Sequence, residues 1–94
     1  MATTLLIHAN PERPLTCVVM ENYGVGVEDM KELHRFTCTL GNLPKHNREN
    51  VPKYGITDVV VYSGQYEFAS KIVEYFNEDY PELDVRFYQA HKND

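Results

Sequence analysis

The chain has 94 residues, of which 43% are hydrophobic, and a formal net charge of −5. That length holds one compact core, and the apolar share argues against wholesale disorder. The negative balance argues against a general nucleic-acid binder, and two cysteines, Cys17 and Cys38, are too few for a disulfide framework.

The opening Met1-Ala2-Thr3-Thr4-Leu5-Leu6-Ile7 has no basic leader region and too short an apolar run to span a bilayer. Thr3 to Ala9 reads as a first strand with Leu5, Leu6 and Ile7 at its centre. Asn10-Pro11-Glu12-Arg13-Pro14 is a turn. Leu15 to Glu21 reads as a second strand, paired with the first in a hairpin. After a turn at Asn22-Tyr23-Gly24-Val25-Gly26, a helix is expected from Val27 or Glu28 to about Leu40. Glu28, Asp29 and Glu32 suit its start, Gly41-Asn42 its end, and Met30, Leu33, Phe36 or Thr37 and Leu40 its apolar face. Residues 41–56 are polar, carry Pro44 and Pro52, and read as a long loop suited to binding.

The clearest periodicity runs from Thr57 to Ala90. Val59, Val60 and Val61 make an uninterrupted β-branched run, the signature of a strand covered on both faces. Ser63-Gly64 breaks it and starts a helix over Gln65 to Asn77, with Glu67 near the positive end of its dipole. Phe68, Ala69, Ile72, Val73 and Phe76 form one apolar stripe. The helix ends before Pro81, and Asp84 to Ala90 is a last strand with period two. Two strands joined by a helix are parallel. The expected fold is therefore a single α/β (or α+β) domain over residues 1–94. Its order is β-β-α-β-α-β, with a mixed four-stranded sheet, a C-terminal parallel β-α-β unit and a frayed tail at 91–94.

Several groupings of residues have chemical meaning. Ser63, Gly64 and Gln65 sit where a parallel strand ends and a helix begins, a place whose backbone N–H groups suit a nucleotide or phosphate. No dinucleotide glycine spacing and no P-loop lysine accompanies them. His34 and Cys38, four apart on the expected helix, are a partial metal set that Cys17 or His8 would have to complete, without the paired-cysteine spacing of structural zinc sites. No nucleophile elbow surrounds Ser63, and no spacing singles out a base from His8, His34, His46 and His91. The acids Glu67, Glu74, Glu78, Asp79, Glu82 and Asp84 read as a solvated region that can meet a basic partner or mimic nucleic-acid phosphates.

Charge is divided along the chain. Residues 31–54 carry Lys31, Arg35, Lys45, Arg48 and Lys53 for a net +3, and residues 55–84 a net −6. Seven tyrosines offer apolar area with a polar tip, as at protein interfaces.

Val61-Tyr62-Ser63-Gly64-Gln65-Tyr66 and Val85-Arg86-Phe87-Tyr88-Gln89-Ala90-His91 resemble the second half of ribonuclease H-like domains, a strand, helix and strand ending near a histidine. The resemblance covers about a third of the chain. It implies carboxylates on the first strand and after the fourth. Here those positions hold His8 or Asn10, and Ser63 or Gly64, with only Glu32 left for a helix carboxylate. A catalytically degenerate domain of that kind is what the residues allow.

These readings lead to an expectation of a small acidic cytoplasmic protein-interaction module. It would be an inhibitor or adaptor with no enzymatic activity, no cofactor and no metal. Tyr66, Glu67, Glu74, Tyr75, Glu78, Tyr80 and Tyr88 are its expected contact residues. The alternative is a small-ligand binder at Ser63-Gly64-Gln65. A homodimer through the last strand is a further expectation, and a nucleic-acid or membrane partner is not expected.

Overall fold

The computed structural model describes residues 2–24, 26 and 28–89. Five strands are present: β1 (Thr3–Ala9), β2 (Leu15–Glu21), β3 (Lys31–Cys38), β4 (Asp58–Ser63) and β5 (Asp84–Gln89). A 3-10 turn at Leu40–Asn42 leads into α1 (Leu43–Tyr54), and α2 (Tyr66–Asp79) joins β4 to β5. The strands form one sheet in the order β3-β2-β1-β4-β5. β1 pairs antiparallel with β2 and parallel with β4; β2 pairs antiparallel with β3, and β4 parallel with β5.

The hairpin and the C-terminal β-α-β unit stand where the sequence places them. The middle of the chain does not. The helix expected to about Leu40 is the strand β3, and the expected loop at 41–56 contains α1. The sheet therefore has five strands, not four. His34, Phe36 and Cys38 alternate toward the core side, opposite Val19, Cys17 and Leu15 of β2. Helix α1 begins with a proline in its first turn, where the missing N–H costs nothing, and ends at Gly55 with φ 64°. The tail at 91–94 lies outside the described residues.

Both helices cover the same face. Leu43 of α1 and Ala69, Ile72 and Phe76 of α2 share one buried cluster with Leu5, Ile7, Cys17, Val19, Val59 and Val61. Burying a side chain such as Phe76 or Ile72 contributes roughly 1.5–3 kcal/mol each. Between the helices, Asn47 Nδ2 donates to the Tyr75 hydroxyl at 3.2 Å. The valine run is buried on both sides, but among the described residues no helix covers the second side. There Leu6, Val18 and Val60 are buried against one another, with Met20, Tyr23 and Tyr62 packed around them. Tyr23, from the β2–β3 connection, reaches across this face, and its hydroxyl hydrogen-bonds with that of Tyr62.

Candidate functional site

The strand order sets the first constraint. Among the described residues β3 and β5 are the two sheet edges, and an edge strand presents a row of backbone N–H and C=O groups that another chain can pair with. The two large apolar side chains left exposed among the described residues are Tyr66, 67% accessible, and Tyr88, 47% accessible. Both stand at β5, one on each side of the sheet.

Tyr66 opens α2 on the helix-covered side. Its ring meets that of Phe87 edge-on, with centroids 5.9 Å apart. Tyr66, Ser70, Val73 and Glu74 of α2, together with Phe87, line a shallow groove of about 280 Å³ along the β5 margin. Its lining is mainly apolar, with Ser70 and Glu74 as the polar members. Tyr88 lies on the uncovered side, level with Tyr62 and His8 on the neighbouring strands. His8 and Tyr62 stack at 5.1 Å and 14°, and Tyr62 and Tyr88 at 5.7 Å and 24°. Nearly parallel rings at these distances stack offset, and the ladder ends in the exposed ring of Tyr88 at the sheet margin.

The other expected contact residues divide by helix face. Tyr75 and Tyr80 turn inward and pack with Phe76, Tyr75 at 5.0 Å and Tyr80 at 6.1 Å between centroids. Glu67 and Glu78 are exposed on α2 outside the groove. Phe87, Val73 and Ser70 complete the groove and were not among the contact residues expected from the sequence. The alternation of β5 and the α2 stripe identify Phe87 and Val73 as half-buried, but only the packing of α2 on β5 shows that they leave a groove.

At the strand-to-helix turn, Ser63 is 2% accessible. Its Oγ accepts the Gln65 N–H at 3.0 Å and donates to the Gln65 carbonyl at 3.2 Å. Gln65, rather than Ser63 or Gly64, is the N-cap of α2. The serine hydroxyl is thus engaged within the turn itself.

The two thiols lie on the inner sheet face and are buried. Burial pushes the Cys17 thiol far above its ordinary range, with the nearby Cys38 adding to the rise. Burial raises Cys38 as well. Such thiols are poor nucleophiles. His34, expected beside Cys38 on a helix, instead stacks between Phe36 and Tyr54 at 5.4 and 5.7 Å. Among the described residues no three of His, Cys, Asp or Glu converge in a group able to hold a metal ion.

The positions implied by the ribonuclease H-like resemblance lie at the ends of the neighbouring parallel strands β1 and β4, but His8 and Ser63 fall on opposite faces of the sheet. His8 faces Tyr62 and Ala9 faces Ser63 at their ends. Glu32 lies on β3, paired with Arg35 at 2.7 Å, and not on a helix. Among the described residues no helix is long and apolar enough to cross a membrane. No family model, curated protein or solved structure matches this chain.

Proposed function

We propose that this chain is a non-enzymatic protein-interaction module, an inhibitor or adaptor of the cytoplasm, and that it takes up an extended segment of its partner along β5. One observation carries the reading: the two most exposed large apolar side chains of the described residues, Tyr66 and Tyr88, flank the same edge strand from opposite sides. A strand added at such an edge gains main-chain hydrogen bonds, and its alternating side chains fall to either side of the sheet. One set would enter the Tyr66–Val73–Phe87 groove, and the other would lie on the ring of Tyr88. Tyrosine suits this role because it supplies area at low entropic cost. The inert thiols and the engaged Ser63 hydroxyl are in keeping with binding rather than covalent chemistry.

The test is a selection of displayed random peptides on the wild-type chain, followed by binding to a Tyr66→Ala/Tyr88→Ala variant. Both tyrosines are exposed, so the variant keeps its core. Selected peptides should alternate apolar residues, slow amide exchange over Val85 to Gln89, and lose at least tenfold in affinity on the variant. Binders that protect other amides and tolerate both substitutions would reject the reading.

A further inference from the structure

The charge division seen along the sequence becomes a division in space. Strand β3 and helix α1 lie at one end of the sheet, β5 and α2 at the other. Stacking of Phe36 on His46 at 4.7 Å and of His34 on Tyr54 ties α1 to β3. Contact of Tyr66 with Phe87 ties α2 to β5. Exposed Lys31, Arg35, Lys45, Arg48 and Lys53 therefore outnumber Glu32 and Glu49 at the β3 end, and exposed Glu67, Glu74, Glu78, Asp79, Glu82 and Asp84 outnumber Lys71 and Arg86 at the β5 end. Arg35 is paired with Glu32 and Arg86 with Asp84, and the charge of Arg48 is felt at Tyr80, just past the end of α2.

The two edges are also matched in direction. β2 runs against β1 and β3 against β2, while β4 and β5 run with β1. So β3 and β5 point the same way. A second copy shifted along the sheet can lay its β3 beside β5 as a parallel neighbour and keep all helices on one face. Its α1 then stands next to α2. The half-buried Phe36–His46 pair would meet the Tyr66 groove, and Lys53 and Lys45 would meet Glu74 and Glu67. Pairing β5 antiparallel with its own counterpart, across a two-fold axis normal to the sheet, would instead set α2 against α2, two helices that each carry a net negative charge.

We infer that the segment received along β5 is the β3 edge of a second copy of this chain, in a head-to-tail contact that does not close. This rests on the reading of β5 as a strand-accepting edge. A repeated contact between two different patches builds open chains rather than a dimer. Because the complementary charges are exposed, the contact is salt-sensitive.

Sedimentation velocity over a concentration series tests it, with Glu74→Lys and Lys53→Glu variants, both substituted at exposed positions. In low salt the wild-type mass should rise with concentration without a plateau, and fall to the monomer in salt of about 1 M, where the screening length is about 3 Å. Each variant alone should remain monomeric, since each sets like charges against one another. An equimolar mixture should assemble again, because the β5 end of the Glu74→Lys chain and the β3 end of the Lys53→Glu chain carry opposite charges where they meet. A wild-type chain that stays monomeric in low salt would overturn the inference, as would a plateau at the dimer or a mixture that fails to assemble. A monomeric chain that still binds selected peptides through Tyr66 and Tyr88 would remove the second copy as occupant and leave the binding edge standing.

Discussion

Single side chains on the uncovered face show how a polar group is held in a half-apolar place. Tyr62 lies between His8 and Tyr88, beside the Leu6–Val18–Val60 cluster, with its hydroxyl on that of Tyr23. Burial, with help from the Tyr23 hydrogen bond, pushes its pKa up to about 12 from an ordinary 10. The folded chain thus holds the Tyr62 proton more tightly than the unfolded chain does. The stability this supplies is complete below the unfolded value and is lost as pH rises through the folded one. Unfolding free energy from urea titrations should therefore fall between pH of about 10 and about 12. Burial raises Tyr75 and Tyr80 too, so the informative comparison is with Tyr62→Phe, which should show a shallower decline in that window. Equal slopes for the two proteins would remove Tyr62 as the source. The sequence reading placed Tyr62 in the ribonuclease H-like stretch and among the seven tyrosines but not in a ladder, because a ladder across β1, β4 and β5 needs strand register, and composition carries none.

Elements were legible where their inner faces are apolar and illegible where they are not. The hairpin and the β4-α2-β5 unit bury Leu, Ile, Val and Phe at regular spacing. Strand β3 turns His34, Phe36 and Cys38 inward, so a period of two is hidden behind a histidine. Met30, Leu33, Phe36 and Leu40 meanwhile imitate helical spacing. A register shift opposite Val19 and Met20 blurs the pattern further. Helix α1 buries Asn47 and Asn50 between Leu43 and the half-buried Val51 and Tyr54, so its apolar stripe is broken by amides, and its two prolines read as loop. Pro44 is harmless in the first turn, whereas Pro52, inside the helix, has no N–H to give to the Arg48 carbonyl. What secures the end of α1 is Gly55, whose left-handed backbone lets its own N–H and that of Ile56 reach the Val51 carbonyl. A Cβ at Gly55 would meet nothing within 4 Å, so a substitution acts through backbone conformation alone. Gly55→Ala should cost about 1–2 kcal/mol, and Gly55→Asn less, since asparagine tolerates that region. Equal losses for the two in urea unfolding would mean that φ is not what the glycine supplies. The candidate site divides in the same way. Tyr66, Glu74 and Tyr88 were accessible to sequence reasoning as interface residue types. The groove that relates them exists only through the packing of α2 on β5.

The whole molecule is a two-layer structure with unlike sides. One side of the sheet is closed by both helices; the other is closed by its own side chains and Tyr23. Val60 and Val61 sample the two sides from adjacent positions of one strand, Val61 in the helix-covered cluster and Val60 in the open one. By accessibility the two are alike, both buried. By surroundings they differ. Truncating either to alanine removes the same two methyl groups, a transfer loss of about 1.6 kcal/mol at roughly 0.8 kcal/mol per group. Under the helices, two layers hold the space open around Val61, and the cavity adds its own cost. Around Val60 the covering groups are the side chains of Met20, Tyr23 and Tyr62, which can settle inward or admit water. Val61→Ala should therefore lose about 2–3 kcal/mol, and Val60→Ala no more than the transfer value. Urea unfolding of the two variants, read against the wild type, gives both numbers in one experiment. If Val60→Ala proves as costly as Val61→Ala, the open side is packed as tightly as the covered one. Tyr23 would then be a fixed part of the core, as firm as a third layer. If the costs separate as expected, the molecule has a rigid, helix-backed side that holds β5 straight. It also has a softer side on which the ring of Tyr88 can adjust to what it meets.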